Sequence, residues 1–228
     1  MSKKKRKNSN YKQNDTTAKK QPSSAGKQAS SGGKKQSADG KRSKIITAVS
    51  ALVLVVILLC SILAINSCTR DYTVEISVKD YGKIVLHLDG DSAPKTVRNF
   101  VSLVKDGFYD GLTFHRVMDN FMIQGGDPKG NGTGSSDKKI VGEFSKNGYA
   151  NSISHERGVI SMARSMAPNS ASSQFFIMHA DAPHLDGQYA AFGKVVSGME
   201  TVDEIAAIPV GPSDRPRIAM RMKKVYIK

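Results

Sequence analysis

An unbroken run of 21 uncharged residues, IITAVSALVLVVILLCSILAI over 45–65, divides this chain into parts that cannot share one fold. At about 1.5 Å rise per residue, a helix of this length reaches roughly 30 Å, the thickness of a bilayer's hydrocarbon core. A buried soluble helix would show the same hydropathy. This run, however, has no polar face and abuts a segment with almost nothing apolar to cover it. A cleaved export signal would carry an apolar stretch of about 7–15 residues. Here the stretch is longer and starts only at residue 45. A lipid on Cys68 is a third option, though INSC is a poor match to the small residues that precede a lipidated cysteine. The expectation is a permanent single-pass transmembrane helix over 45–65.

The run also sorts the charge. Residues 1–44 hold 14 Lys and Arg against Asp15 and Asp39, a net of +12 out of +14 for the whole chain. The basic balance therefore describes a tail. Rich in Lys, Ser, Gln, Asn and Gly, that tail cannot bury enough surface to offset its chain entropy, so 1–44 reads as disordered. Its KKKRK cluster (3–7) would suit a nuclear signal or a nucleic-acid patch, but a solvated tail beside a membrane fits the neighbouring run better. No specific nucleic acid is expected as a partner. Lys41, Arg42 and Lys44 precede the span, whereas Asp71 and Glu75 follow Arg70 beyond it. Positive charge stays inside, so the N-terminus is cytoplasmic and the C-terminal part extracytoplasmic. The tail is suited to anionic lipid headgroups. Cys60 and Cys68 are the only cysteines, so nothing after the short linker 66–71 has a disulfide framework or thiolate chemistry.

Residues 72–228 carry the globular pattern. YTVEISV (72–78) and KIVLHL (83–88) alternate around the turn KDYG, which predicts a β-hairpin. In DSAPKTVRNFVSLVKDG (91–107), Val97, Phe100, Val101 and Val104 have helical spacing; Ser92 can cap, Pro94 fits the first turn and Gly107 ends the helix. A second helix is expected over 199–208, stopped by Pro209. Short strands are expected at 112–117, 121–125, 158–163, 174–178, 189–195 and 220–227. Many short strands with two helices suggest a closed or nearly closed barrel.

Familiar chemical signatures are few. GNGTG (130–134) lacks a phosphate-loop lysine, HER (155–157) is not a zinc-protease motif, and no nucleophile elbow occurs. His179 and His184 lack a nearby third ligand, so neither a metal nor a cofactor is expected. Three other segments stand out: FHRVMDNFMIQGGDP (114–128), SMARSMAPNSASSQFFI (161–177) and HLDGQYAAFGKV (184–195). In this order they resemble the cyclophilin family, especially its bacterial members, over nearly all of 72–228. The resemblance implies an eight-stranded antiparallel barrel capped by two helices. It also implies cis-trans isomerisation of Xaa-Pro bonds in unfolded or partly folded polypeptides.

By that resemblance Arg116 is the catalytic arginine, and Gln124 helps hold it and the substrate. Phe121, Met122, Phe176 and Leu185 form the proline pocket. Ala163 and Gln174 line the substrate groove, Arg164 bonds the peptide through its backbone, and His115 precedes the arginine. Two positions depart from the pattern. His184 stands where tight cyclosporin binders carry tryptophan, so cyclosporin binding is expected to be weak. Tyr189 replaces a pocket histidine but still offers an aromatic wall. The loop 165–168 is one residue longer than in well-known eukaryotic members. In QFFIM, neighbouring Phe175 and Phe176 must face opposite sides of a strand; resemblance assigns Phe176 to the cleft. The expected role is an isomerase assisting folding of exported proteins at the membrane surface. A non-catalytic proline-peptide-binding chaperone module is the alternative, and a tail-driven nucleic-acid or surface binder is a third.

Overall fold

The computed structural model describes residues 49–58 and 71–228. The chain divides into two compact units between Cys60 and Ser61. In the first unit, residues 49–58 are helical (α1), and apolar side chains such as Leu52 and Leu54 are 65% and 67% exposed. Among the described residues no helix is long and apolar enough to cross a membrane. The rest of the expected span (45–48 and 59–65), the basic tail, Cys68 and residues 66–70 of the linker lie outside the described residues.

The second unit opens with the expected hairpin, β1 (Tyr72–Val78) against β2 (Gly82–Leu88). Next come α2 (Pro94–Lys105), β3 (Thr113–Phe114), β4 (Arg116–Met118) and β5 (Met122–Gly125). Then follow β6 (Val159–Met162), β7 (Phe175–Met178), β8 (Ala191–Ser197), α3 (Met199–Ala206) and β9 (Met220–Ile227). The sheet has nine strands in the order β3-β9-β1-β2-β8-β6-β7-β5-β4, and every pairing is antiparallel. Nine replaces the expected eight because the stretch 112–117 is not one strand. It breaks at His115, giving β3 to β9 and β4 to β5. The two ends of the sheet are thus consecutive in sequence, and the chain itself closes the barrel, with the His115 N–H donating to the Gln124 carbonyl at 2.9 Å.

Alternation along three strands gives each of them two apolar faces. Ile123, Ile160, Phe175 and Ile177 point into the main core, while Met122, Val159, Phe176 and Met178 form a second, outer cluster with Leu185. Inside, Phe100 from α2 packs on Tyr109, Phe192 and Phe175 with ring centroids 5.0, 5.2 and 5.4 Å apart. Burying each ring stabilises the fold by about 1.5–3 kcal/mol. That makes the barrel interior a filled core, so any binding site has to lie on its outer face.

The start of α2 departs from expectation. Ser92 does not cap it; the Ser92 hydroxyl donates to Asp89 at 2.6 Å, and the N-cap residue is Ala93, which offers no side-chain acceptor. The free N–H groups of the first turn are met from far away. Glu143, 1% exposed, accepts from the backbone N–H of Lys95 (3.1 Å) and Thr96 (2.7 Å) and from the Thr96 hydroxyl (2.8 Å). A carboxylate suits this place because helix N-termini present unpaired donors and partial positive charge.

Candidate active site

Strand register builds the site. Arg116 on β4 is opposite Gln124 on β5, Gln124 is opposite Phe176 on β7, and Phe176 is opposite Ser161 on β6. Residues directly opposite share a face of the sheet, so these four stand in one row on the outer side. Met118 and Met122 form the next pair of that face. The row opens onto a cavity of about 250 Å³ lined by Arg116, Phe121, Met122, Gln124, Ala163, Arg164, Phe176, Leu185 and Tyr189. Two guanidinium groups, those of Arg116 and Arg164, and one amide among apolar walls make the lining expected of a small-ligand pocket.

Each wall is held. Tyr189 meets Phe176 edge-on with ring centroids 5.8 Å apart. Arg164 lays its guanidinium 4.6 Å from the Tyr189 ring centroid and 5.1 Å from that of Phe144, and donates twice to the Gln188 carbonyl. Behind the pocket, the His155 ring stacks on Phe176 at 6.0 Å. Its Nδ1 lies 2.9 Å from Asp186 and its Nε2 3.0 Å from the Ser161 hydroxyl. Burial holds His155 below the usual histidine range, with Asp186 opposing part of that shift. Ser161 is 0% exposed, so this Ser-His-Asp chain cannot meet a substrate and instead braces Phe176.

Arg116 is fixed but not consumed. Its Nε donates to Asp214 at 3.1 Å, and one Nη2 hydrogen points at the Met118 sulfur, also at 3.1 Å. A guanidinium carries five donors, which leaves hydrogens for a substrate. Asp214 comes from the turn Pro212–Asp214, where Ser213 and Asp214 are successive non-glycine residues at φ 62° and 57°. That left-handed conformation is costly for a side chain, and it ends with the carboxylate beside Arg116. Gln124 donates to the Gln174 side-chain carbonyl at 2.8 Å, and Gln174 in turn donates to the carbonyls of Gly132 and Gly134. After β5 the chain turns at Gly126, φ 83°, where any Cβ would collide with the Ser173 carbonyl.

The structure brings nine of the twelve residues named from sequence onto one cavity. Gln174 stands behind Gln124 as a support, and His184 stacks on Phe121 at the rim, with ring centroids 5.7 Å apart. His115 does not join them. It is buried beneath the neighbouring surface, with no hydrogen-bond partner on either ring nitrogen, because the break between β3 and β4 turns it away from the Arg116 row. Sequence reasoning missed Met118, His155, Asp186 and Asp214. Met118 was accessible, since a residue two positions from Arg116 on a strand must share its face. Asp214 lies 98 residues from Arg116 and leaves no local signal.

A barrel with a filled interior and, on its outer face, a small slot with apolar walls and two anchored guanidinium groups, those of Arg116 and Arg164, defines the class by its architecture. Comparisons with known proteins give the family. The family model described as "Cyclophilin type peptidyl-prolyl cis-trans isomerase/CLD" matches residues 73–227. The chain is 44% identical over 147 residues to peptidyl-prolyl cis-trans isomerase CYP18-1 of Arabidopsis thaliana, covering 64% of this chain and 90% of that protein. A Brucella suis relative is 42% identical over 175 residues, covering 72% of this chain and 86% of its own length. The chain spans only 28% of a longer relative, peptidyl-prolyl cis-trans isomerase-like 2 of Rhizopus delemar. Among solved structures, a cyclophilin type peptidyl-prolyl cis-trans isomerase of Cryptosporidium parvum, crystallised in the presence of the dipeptide Ala-Pro, superposes with TM-score 0.63 at 33% identity, covering 68% of this chain and 98% of that one. The chain belongs to the cyclophilin-type peptidyl-prolyl cis-trans isomerase family.

Proposed function

We propose that this isomerase turns Xaa-Pro bonds at the Arg116 cavity and acts on exported polypeptides outside a bacterial membrane, to which residues 45–65 hold it. The observation that carries the catalytic part is the junction of Arg116 and Gln124 with Phe121, Met122, Phe176 and Leu185 on one small cavity.

Rotation about an amide must cross about 18–20 kcal/mol, because resonance makes the C–N bond partly double. No bond breaks, so the chemistry needs neither nucleophile nor metal. When the bond twists, its nitrogen regains a lone pair and the amide loses charge separation. An apolar slot therefore disfavours the twisted state less than the planar one. Arg116 donates to that lone pair, a bond that exists only while resonance is broken and so is selective for the transition state. One charge-assisted bond contributes roughly 1.5–3 kcal/mol. An acceleration of about 10⁵ requires roughly 7 kcal/mol. The remainder falls to exclusion of water and to the grip of the aromatic walls on the proline ring. Gln124, held by Gln174, orients the peptide beside Arg116. At the rim, His184 offers less surface than the indole of tight cyclosporin binders, so weak cyclosporin binding is expected.

The membrane setting is supported by the uncharged run 45–65, the basic residues before it and the exposed apolar side chains of 49–58. An anchored domain outside the membrane would meet chains as they emerge, when their prolines are still accessible. Exchange cross-peaks of an Ala-Pro peptide with fragment 70–228 test the activity. The fragment is a fair subject, because a relative 90% covered by the match is scarcely more than this domain. Protease added to intact cells tests the setting: the C-terminal domain should be digested before lysis. Digestion only after lysis would place it inside.

A further inference from the structure

The proline cavity is the first of three connected depressions. It shares Arg116 and Gln124 with a second, of about 600 Å³, walled by Pro212–Arg215 and by Asn131 and Gly132. That one shares His115 and Arg215 with a third, a groove of about 410 Å³ running along Gly111–His115. The third is strongly basic: Lys129, Arg215, Arg217 and Arg221 line it. Among the described residues, none of the four makes an ion pair. Arg217 and Arg221 are tied by a single bond each, to the Val210 and Gly111 carbonyls at 3.3 and 3.1 Å. Those bonds orient the guanidinium forks at little further entropic cost, and most of their donors stay unused. The one acid in the lining, Asp127, is 1% exposed and already accepts the backbone N–H groups of Lys129, Asn131 and Gly132. Its charge is answered from behind, and the groove is left with unpaired cations.

We propose that this groove is a subsite for an acidic stretch of the same polypeptide whose proline occupies the Arg116 cavity, so that the enzyme favours prolines flanked by Asp or Glu. The inference rests on the isomerase reading of that cavity. Sequence distance sets where the acids must fall. Thr113, at the groove, is three residues from Arg116 across the break at His115, a separation of at most about 11 Å, the reach of about three extended residues. The favoured acids sit about three to five positions from the proline. Charge complementarity and continuity with the cavity both point to the client chain as the occupant.

The test uses fragment 70–228 and four peptides with one Ala-Pro core, carrying three Glu or three Gln, starting three residues before or after the proline. Binding is followed by amide shifts, and turnover by exchange spectroscopy. At low salt, one of the Glu peptides should bind roughly five- to tenfold more tightly than its Gln counterpart, as expected for several exposed charge pairs acting together. The advantage should shrink at about 0.5 M salt, where screening acts within a few ångströms. Replacing both cations (Arg217→Glu, Arg221→Glu) should invert the preference toward a Lys₃ version of that peptide, a gain that misfolding cannot produce. Equal binding of Glu and Gln peptides on both sides overturns the proposal, as does a preference that survives the charge reversal. Groove signals that move with phosphatidylserine vesicles but not with peptide would make the surface a lipid contact and likewise overturn it. Loss of exchange in all peptides with the charge preference intact would instead strike the isomerase reading alone.

Discussion

Glu143→Gln should destabilise the domain by about 3 kcal/mol without changing the chemistry of the folded fraction. The carboxylate is 1% exposed and accepts three bonds at the start of α2, two from backbone N–H groups and one from the Thr96 hydroxyl. A glutamine keeps one oxygen but turns an NH₂ toward a donor. One buried N–H then loses its acceptor, at about 1–3 kcal/mol. The charge facing the helix N-terminus also disappears, at about 0.3–2 kcal/mol. For a domain of this size each kcal/mol moves Tm by about 2–4 °C, so the midpoint should fall by roughly 6–12 °C. Thermal unfolding followed by circular dichroism measures the shift, and exchange spectroscopy at 15 °C reports the activity that remains. A midpoint within about 2 °C of the parent would refute the idea that a distant carboxylate replaces the missing side-chain cap.

Other outcomes follow from the site. Asp214→Asn removes an ion pair whose partners are 41% and 38% exposed, so turnover should change by less than about fivefold; a loss as large as that of an Arg116 variant would mean that Asp214 is indispensable in holding the guanidinium. Phe121→Ala, at the rim against His184, should weaken peptide binding by about two- to tenfold, while the urea midpoint moves little; unchanged affinity would put the ring outside the binding surface. Burial holds His115 and His155 below the ordinary histidine range, so the folded chain binds fewer protons than the unfolded chain once pH drops below about 6.5. Stability should therefore be full above that pH and decline as pH falls through 6.5 toward the lowered folded values; equal urea midpoints at pH 7.5 and 5.5 would contradict neutral burial.

Local rules carried much of the fold. The hairpin, the apolar stripe Val97-Phe100-Val101-Val104 and the opposite facing of Phe175 and Phe176 are consequences of periods 3.6 and 2, and they appear where the pattern puts them. Motif resemblance carried the cavity lining. What escaped depends on contacts that no local window contains. The break at His115 exists because β9 and β5 compete for one stretch of chain. Glu143 reaches α2 across 47 residues, and Asp214 reaches Arg116 across 98. Ser92 illustrates the hazard: a good capping residue type, it is already engaged by Asp89 three residues before it.

The claim beneath all of this is that a guanidinium beside an apolar slot acts on a peptide bond only as that bond loses planarity. Exchange spectroscopy of an Ala-Pro peptide saturating Arg116→Ala measures it directly. The expected result is an on-enzyme rate reduced more than tenfold with peptide affinity within about threefold of the parent, the split that transition-state selectivity demands. An unchanged rate at saturation, or a rate that falls only in step with affinity, would contradict it.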